Sequence, residues 1–164
     1  MIKIIFKVKK NTIHYKETLL YKKRLEYEWK TKRKDIEKHI KDIMKIKLNV
    51  RCICYVVHEK LNVAYNLKNN IIIFGFENYC KNFCMIYLVH KVLHYVFPMK
   101  YHAIIQLIAD NELRLRMNEK EEYFYINKNK LDNEPLCYEL YDKWINYLED
   151  KEMNINTFIE NNIK

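Results

Sequence analysis

The chain has 164 residues and a formal net charge of +9, with 49% hydrophobic and 31% charged residues. That composition is globular rather than disordered, and the length allows one domain with a sizeable core. One glycine and two prolines leave little room for flexible linkers, and no apolar run reaches the roughly 18 residues of a membrane span.

The positive charge is concentrated at one end. Residues 1–51 hold 17 Lys+Arg against 6 Asp+Glu, a net of +11, whereas the remainder is slightly acidic. Such asymmetry raises nucleic acid or an acidic protein as partners. The competing reading is a solvated helix face in a chain rich in Lys, Asn, Ile and Tyr. The N-terminus, Met1 to Lys7, is interrupted by lysines and has no signal-peptide core, so a cytoplasmic location is expected. Five cysteines (Cys52, Cys54, Cys80, Cys84 and Cys137) are then expected as free, structural thiols.

In chain order, Ile2, Ile4, Phe6 and Val8 alternate with polar residues and predict a strand over 2–8. Residues 16–47 predict one long helix or two. Leu25, Trp29, Ile36, Ile40 and Ile43 form its apolar stripe, and Lys22, Lys23, Arg24, Lys30 and Lys34 are among its basic residues. Those five are the candidate nucleic-acid contacts. Residues 48–57 read as a buried strand rich in β-branched residues. Residues 62–65 and 71–74 read as a hairpin around the turn Asn66–Asn70, closed by Gly75. A largely apolar helix follows from about Glu77 to Phe97, with Asn78 as N-cap and Pro98 as its stop. A further helix spans about Tyr101 to Met117. Tyr123 to Ile126 is a weak strand candidate. Asn133-Glu134-Pro135 opens another helix, and residues 156–162 form a short last one.

Within the apolar helix stands His90-Lys91-Val92-Leu93-His94. Two imidazoles at i and i+4 share a helix face and can present nitrogens to one metal ion. In a core they must otherwise be hydrogen-bonded, and a carbonyl-bonded pair is the alternative. Cys80 and Cys84 lie near the same face, but Cys80 to His94 spans about 21 Å of helix axis, too far for a shared ion. At 100° per residue, Glu112 falls on the face of Ile105, Ile108 and Ala109, an inward carboxylate, while Asp110 points away and is expected to be exposed.

Strand, helix, strand, hairpin, His-x-x-x-His helix and then a helix with an inward carboxylate is an order that resembles the zincin-like metallopeptidases. The likeness is to small gluzincins, over roughly residues 48–117. The resemblance implies an α+β fold, a small mixed sheet packed against a long N-terminal helix and the central histidine helix, with C-terminal helices. One domain would then cover 1–164, made of a basic strand and helix (1–47), the core (48–117) and a helical part (118–164). It also implies zinc held by His90, His94 and a third ligand, for which Glu112 is favoured over His102. The metzincin turn glycine is replaced by Phe97, which argues against that subtype.

The motif departs from the family at its catalytic position, where Lys91 stands in place of the general-base Glu. A protonated ammonium accepts no proton from a water nucleophile. The expectation is therefore a zincin-fold pseudopeptidase that acts by binding a protein or peptide partner, with zinc as a candidate cofactor. Two alternatives remain open: an active metal-dependent peptidase with a non-standard base, and a basic binding module with structural histidines. Glu59 and Glu77 are the other carboxylates considered as substitutes for the base.

Overall fold

The computed structural model describes residues 1–10, 12, 14–77, 80, 82–118 and 135–163. The expected N-cap Asn78, the strand candidate Tyr123–Ile126 and the residues Asn133 and Glu134 lie outside the described residues. The fold is α+β, with a four-stranded mixed sheet.

Strand β1 (Ile2–Lys7) points Ile2, Ile4 and Phe6 inward and Lys3 and Lys7 outward. The 30-residue helix α1 (Tyr15–Met44) is a single element, settling the choice between one helix and two. Tyr21, Leu25, Trp29, Ile36, Ile40 and Ile43 are buried along its inner stripe. In the gap between Trp29 and Ile36, Lys32 and Arg33 lie half-buried, each beside a glutamate one turn back or ahead. The helix ends at Lys45 in the left-handed conformation, whose N–H bonds to the Lys41 carbonyl.

Strand β2 (Val50–Val56) runs parallel to β1, with Ile4 opposite Cys52 and Phe6 opposite Cys54. Cys52, Cys54 and Val56 face the helices and are buried, while Arg51, Ile53 and Tyr55 alternate with them on the more open face. Strands β3 (Val63–Leu67) and β4 (Ile71–Gly75) form the hairpin. Asn69 and Asn70 both adopt positive φ in its turn, a conformation asparagine tolerates better than most residues. The strand order β1-β2-β4-β3 leaves the antiparallel β3 at the edge and inserts β4 beside β2, in parallel.

Gly75 ends β4 where the chain leaving β2 crosses it. A Cβ there would stand 2.6 Å from Val57 Cγ2 and 2.7 Å from the His58 carbonyl oxygen. Close approach, not backbone freedom, requires the glycine.

Helix α2 (Phe83–Leu93) follows, shorter at both ends than the sequence pattern predicts. Its N-cap is Asn82, in the left-handed conformation, and His94 is its C-cap. The next helical run, 102–118, changes pitch along its length. It consists of α3 (His102–Ile105), a π-helical segment (Gln106–Leu113) and α4 (Arg114–Asn118). Helices α5 (Pro135–Glu149) and α6 (Ile155–Asn162) complete the described chain. Lys45 Nζ donates to the carbonyls of Tyr147 and Asp150, tying the end of α1 to the C-terminus of α5. One apolar cluster runs from Ile2 to Ile159 and includes the α2 residues Leu88, Val89, Val92 and Leu93. The central helix therefore presents its histidines from a rigid support.

Candidate metal centre

His90 is buried on α2, and His94 sits one turn later at the helix end. Their Nε2 atoms are 3.1 Å apart. His102, at the start of α3, completes a group whose ligating atoms all lie within 4.8 Å of one another. Its ring centroid is 5.3 Å from that of His90 and 5.2 Å from that of His94. Around tetrahedral zinc, with Zn–N near 2.0–2.1 Å, neighbouring nitrogens stand about 3.3 Å apart. The His90–His94 pair already has that spacing, and the third ring lies close enough to complete the set.

Asp110 Oδ2 lies 2.7 Å from His90 Nδ1. The carboxylate accepts from Nδ1–H, which leaves the lone pair of His90 on Nε2, facing His94. Two arrangements of His94 follow. It either donates Nε2–H to His90, leaving a bare nitrogen at Nδ1, or it turns its own Nε2 lone pair to the same point. Nδ1 of His94 is buried and has no hydrogen-bond partner, so no neighbour on that side fixes either form. Burial, reinforced by His90, Lys91 and His102, lowers the pKa of His94 to about 3. A neutral imidazole is the form that binds metal. The donor set, with a carboxylate behind one histidine, fits a zinc site.

The π-helical segment decides which acid reaches the histidines. From His102 to Asp110 an ideal α-helix turns the side chain about 80° away. With i→i+5 pitch from Gln106 onward, at roughly 83° per residue, Asp110 returns almost to the direction of His102. The same change carries Glu112 to the opposite side. Glu112 is buried, but its carboxylate lies 2.8 Å from Arg116 Nε, and it is not in the histidine group. Of the two third ligands weighed from the sequence, His102 is the one brought to His90 and His94. Asp110 is not exposed as expected: only 14% of its side chain is accessible. Sequence reasoning missed its role, and the signal was its spacing of eight from His102, legible only with the π pitch.

Lys91 is half-buried beside these residues, its Nζ 5.0 Å from the centroid of the Tyr87 ring. Burial lowers its pKa from the usual lysine value, with Asp110 opposing the shift. Asn66, on the inner face of edge strand β3, donates to the Lys91 carbonyl and fixes α2 against the sheet. A cavity of about 630 Å³ opens in front of His90, Lys91 and His102. Glu59 is not among its lining residues and is paired with Arg24, and Glu77 does not line it either. Neither takes the place of the motif's glutamate.

The basic residues of α1 divide. Lys22 pairs with Glu26 at 2.8 Å and Arg24 with Glu59, whereas Lys23, Lys30 and Lys34 are exposed. All five cysteines are free: Cys52, Cys54, Cys84 and Cys137 are buried and Cys80 is half-buried. Burial raises the pKa of Cys52 and of Cys84 to about 11, which keeps both as inert thiols. Among the described residues no helix is long and apolar enough to cross a membrane. No protein-family model, curated protein or solved structure matches the chain.

Proposed function

We propose that this chain is a zincin-like protein that holds a divalent ion, zinc by its donor set, at His90, His94 and His102, and acts by binding rather than by hydrolysis. The observation that carries the reading is the convergence of three imidazoles with Asp110 set behind the first. A carboxylate that orients one ligand is the usual companion of a histidine–metal bond. A zinc ion held by these three neutral imidazoles would supply a Lewis acid there.

The residues around the three histidines favour binding over cleavage. Peptide hydrolysis needs a group that takes a proton from the attacking water and returns it to the leaving amine. Where the zincin motif has that carboxylate, this chain has Lys91. Asp110, the carboxylate in the cavity wall, is already engaged with His90. Removing a general base typically costs about 10²–10⁴ in rate. The partner is a protein, a peptide or a smaller molecule that enters the cavity.

Zinc content of the purified protein tests the reading. One equivalent per chain, lost in His90→Ala and His102→Ala, is the expected result, together with no chelator-sensitive cleavage of a peptide library. Absence of metal at saturating zinc would remove the site, and chelator-sensitive cleavage would replace binding with hydrolysis.

A further inference from the structure

Lys91 stands in a partly desolvated place, where Asp110 is near enough to favour its charge but forms no ion pair with it. Among the described residues its ammonium makes no ion pair and no hydrogen bond, and it lies over the face of Tyr87. A cation–π contact offsets only part of the cost of taking an ammonium out of water. Asp110 is the one carboxylate that lines the cavity among the described residues, and His90 occupies it. Arg114 also lines the cavity. Beside the Lys91 ammonium the cavity wall is apolar, formed by Phe83, Ile86 and Tyr87, with the Phe83 and Tyr87 rings 5.6 Å apart between centroids. At about 630 Å³ the space falls within the range of small-molecule sites.

We propose that this cavity receives a small organic carboxylate, its head at Lys91 beside the three histidines and its apolar body against Phe83, Ile86 and Tyr87. An ammonium that makes no ion pair, set beside an aromatic wall, matches a molecule with one anionic and one greasy end. A phosphate monoester fits less well, because its more strongly hydrated dianion gains little from such a wall. The inference rests on the metal reading only for the added pull of a divalent ion on the same head group. The position that would hold a base in a peptidase here holds an anion.

The test compares 4-phenylbutyrate with its uncharged amide by calorimetric titration into protein of measured zinc content. The expected result is that the acid binds at least about ten-fold more tightly, as one charge-assisted contact provides. Lys91→Met should cut that discrimination in the zinc-loaded protein without changing its zinc content and abolish it in the metal-free protein, and Lys91→Arg should keep it. Equal affinity for acid and amide in the zinc-loaded protein overturns the inference, as does discrimination that is undiminished in Lys91→Met or that survives in its metal-free form. If no zinc loads, the metal reading fails on its own. The same titration of the metal-free chain then decides the cavity: discrimination lost in Lys91→Met supports the inference, and none in the native chain overturns it.

Discussion

The Asp110 carboxylate lies 2.7 Å from His90 Nδ1 and turns the free lone pair of that ring toward His94. If the three histidines hold zinc, this contact contributes to affinity without touching the metal. Asp110→Ala should weaken zinc binding by about 10–100-fold, the usual effect of losing a carboxylate behind a histidine ligand. A competition titration against a chromophoric chelator measures it. An unchanged affinity would mean that the hydrogen bond serves packing alone.

The third ligand separates two substitutions on one helical run. His102→Ala should drop stoichiometric zinc, whereas Glu112→Gln should keep one equivalent. Glu112→Gln weakens the buried contact to Arg116 and should cost about 1–2 kcal/mol of stability, read from urea denaturation. The reverse pattern, zinc lost with Glu112 and kept without His102, would restore the sequence-based preference.

That preference shows where the sequence was legible. Alternation in Ile2–Phe6, the stripe from Leu25 to Ile43 and the β-branched run before Val57 report burial directly, and each produced its element within a few residues. His90 and His94 were legible as a pair because four residues make one helical turn. Beyond Ile105 an ordinary helix would turn 100° per residue, while the chain follows a π pitch from Gln106 to Leu113. Nothing in Gln106-Leu107-Ile108-Ala109 announces that change, since apolar side chains suit either pitch in a core. Asp110 and Glu112 therefore exchanged places. The true start of α2 was hidden for a similar reason: Asn82 ends the preceding segment in a left-handed conformation, and that is a backbone property.

Stability of the metal-free protein should fall with acid through His94. Its folded pKa is lowered to about 3 from 6.5, chiefly by burial and then by His90, Lys91 and His102. Between those values the unfolded chain binds a proton that the folded chain refuses. The stabilising contribution is complete above pH 6.5 and is lost progressively as the pH falls toward 3. Urea midpoints of chelator-treated protein at pH 7 and pH 5 measure the slope. His94→Gln should flatten it, and an equal slope in that variant would place the titration elsewhere.

Gly75→Ala tests the crossing of β4 by the chain that leaves β2. The added methyl meets Val57 Cγ2 and two backbone carbonyls within 3.0 Å, so backbone must move. A loss of about 1–3 kcal/mol is expected from overpacking. Because β4 leads toward α2, zinc affinity should also decline in proportion to any shift of that helix. A neutral substitution would show that the β2–β3 connection yields freely.

Lys91→Glu is the most direct question to put to the site. The substitution removes the unpaired cation and puts a carboxylate where the peptidase motif has one, one residue after His90. If zinc, its three ligands and the cavity are otherwise competent, the variant should gain chelator-sensitive cleavage of an unstructured peptide that the native protein lacks. A gain of about 10²–10⁴ over the native chain is the scale a general base provides. Zinc content must be measured in the same preparation, since a new anion near the ligands also changes metal affinity. Zinc-loaded Lys91→Glu that cleaves nothing would mean that the surrounding cavity no longer orients a peptide bond, and the loss of catalysis would then extend beyond one residue. Cleavage by the native chain at a similar rate would place a working base at Lys91 itself, where burial already lowers the affinity of the amine for its proton.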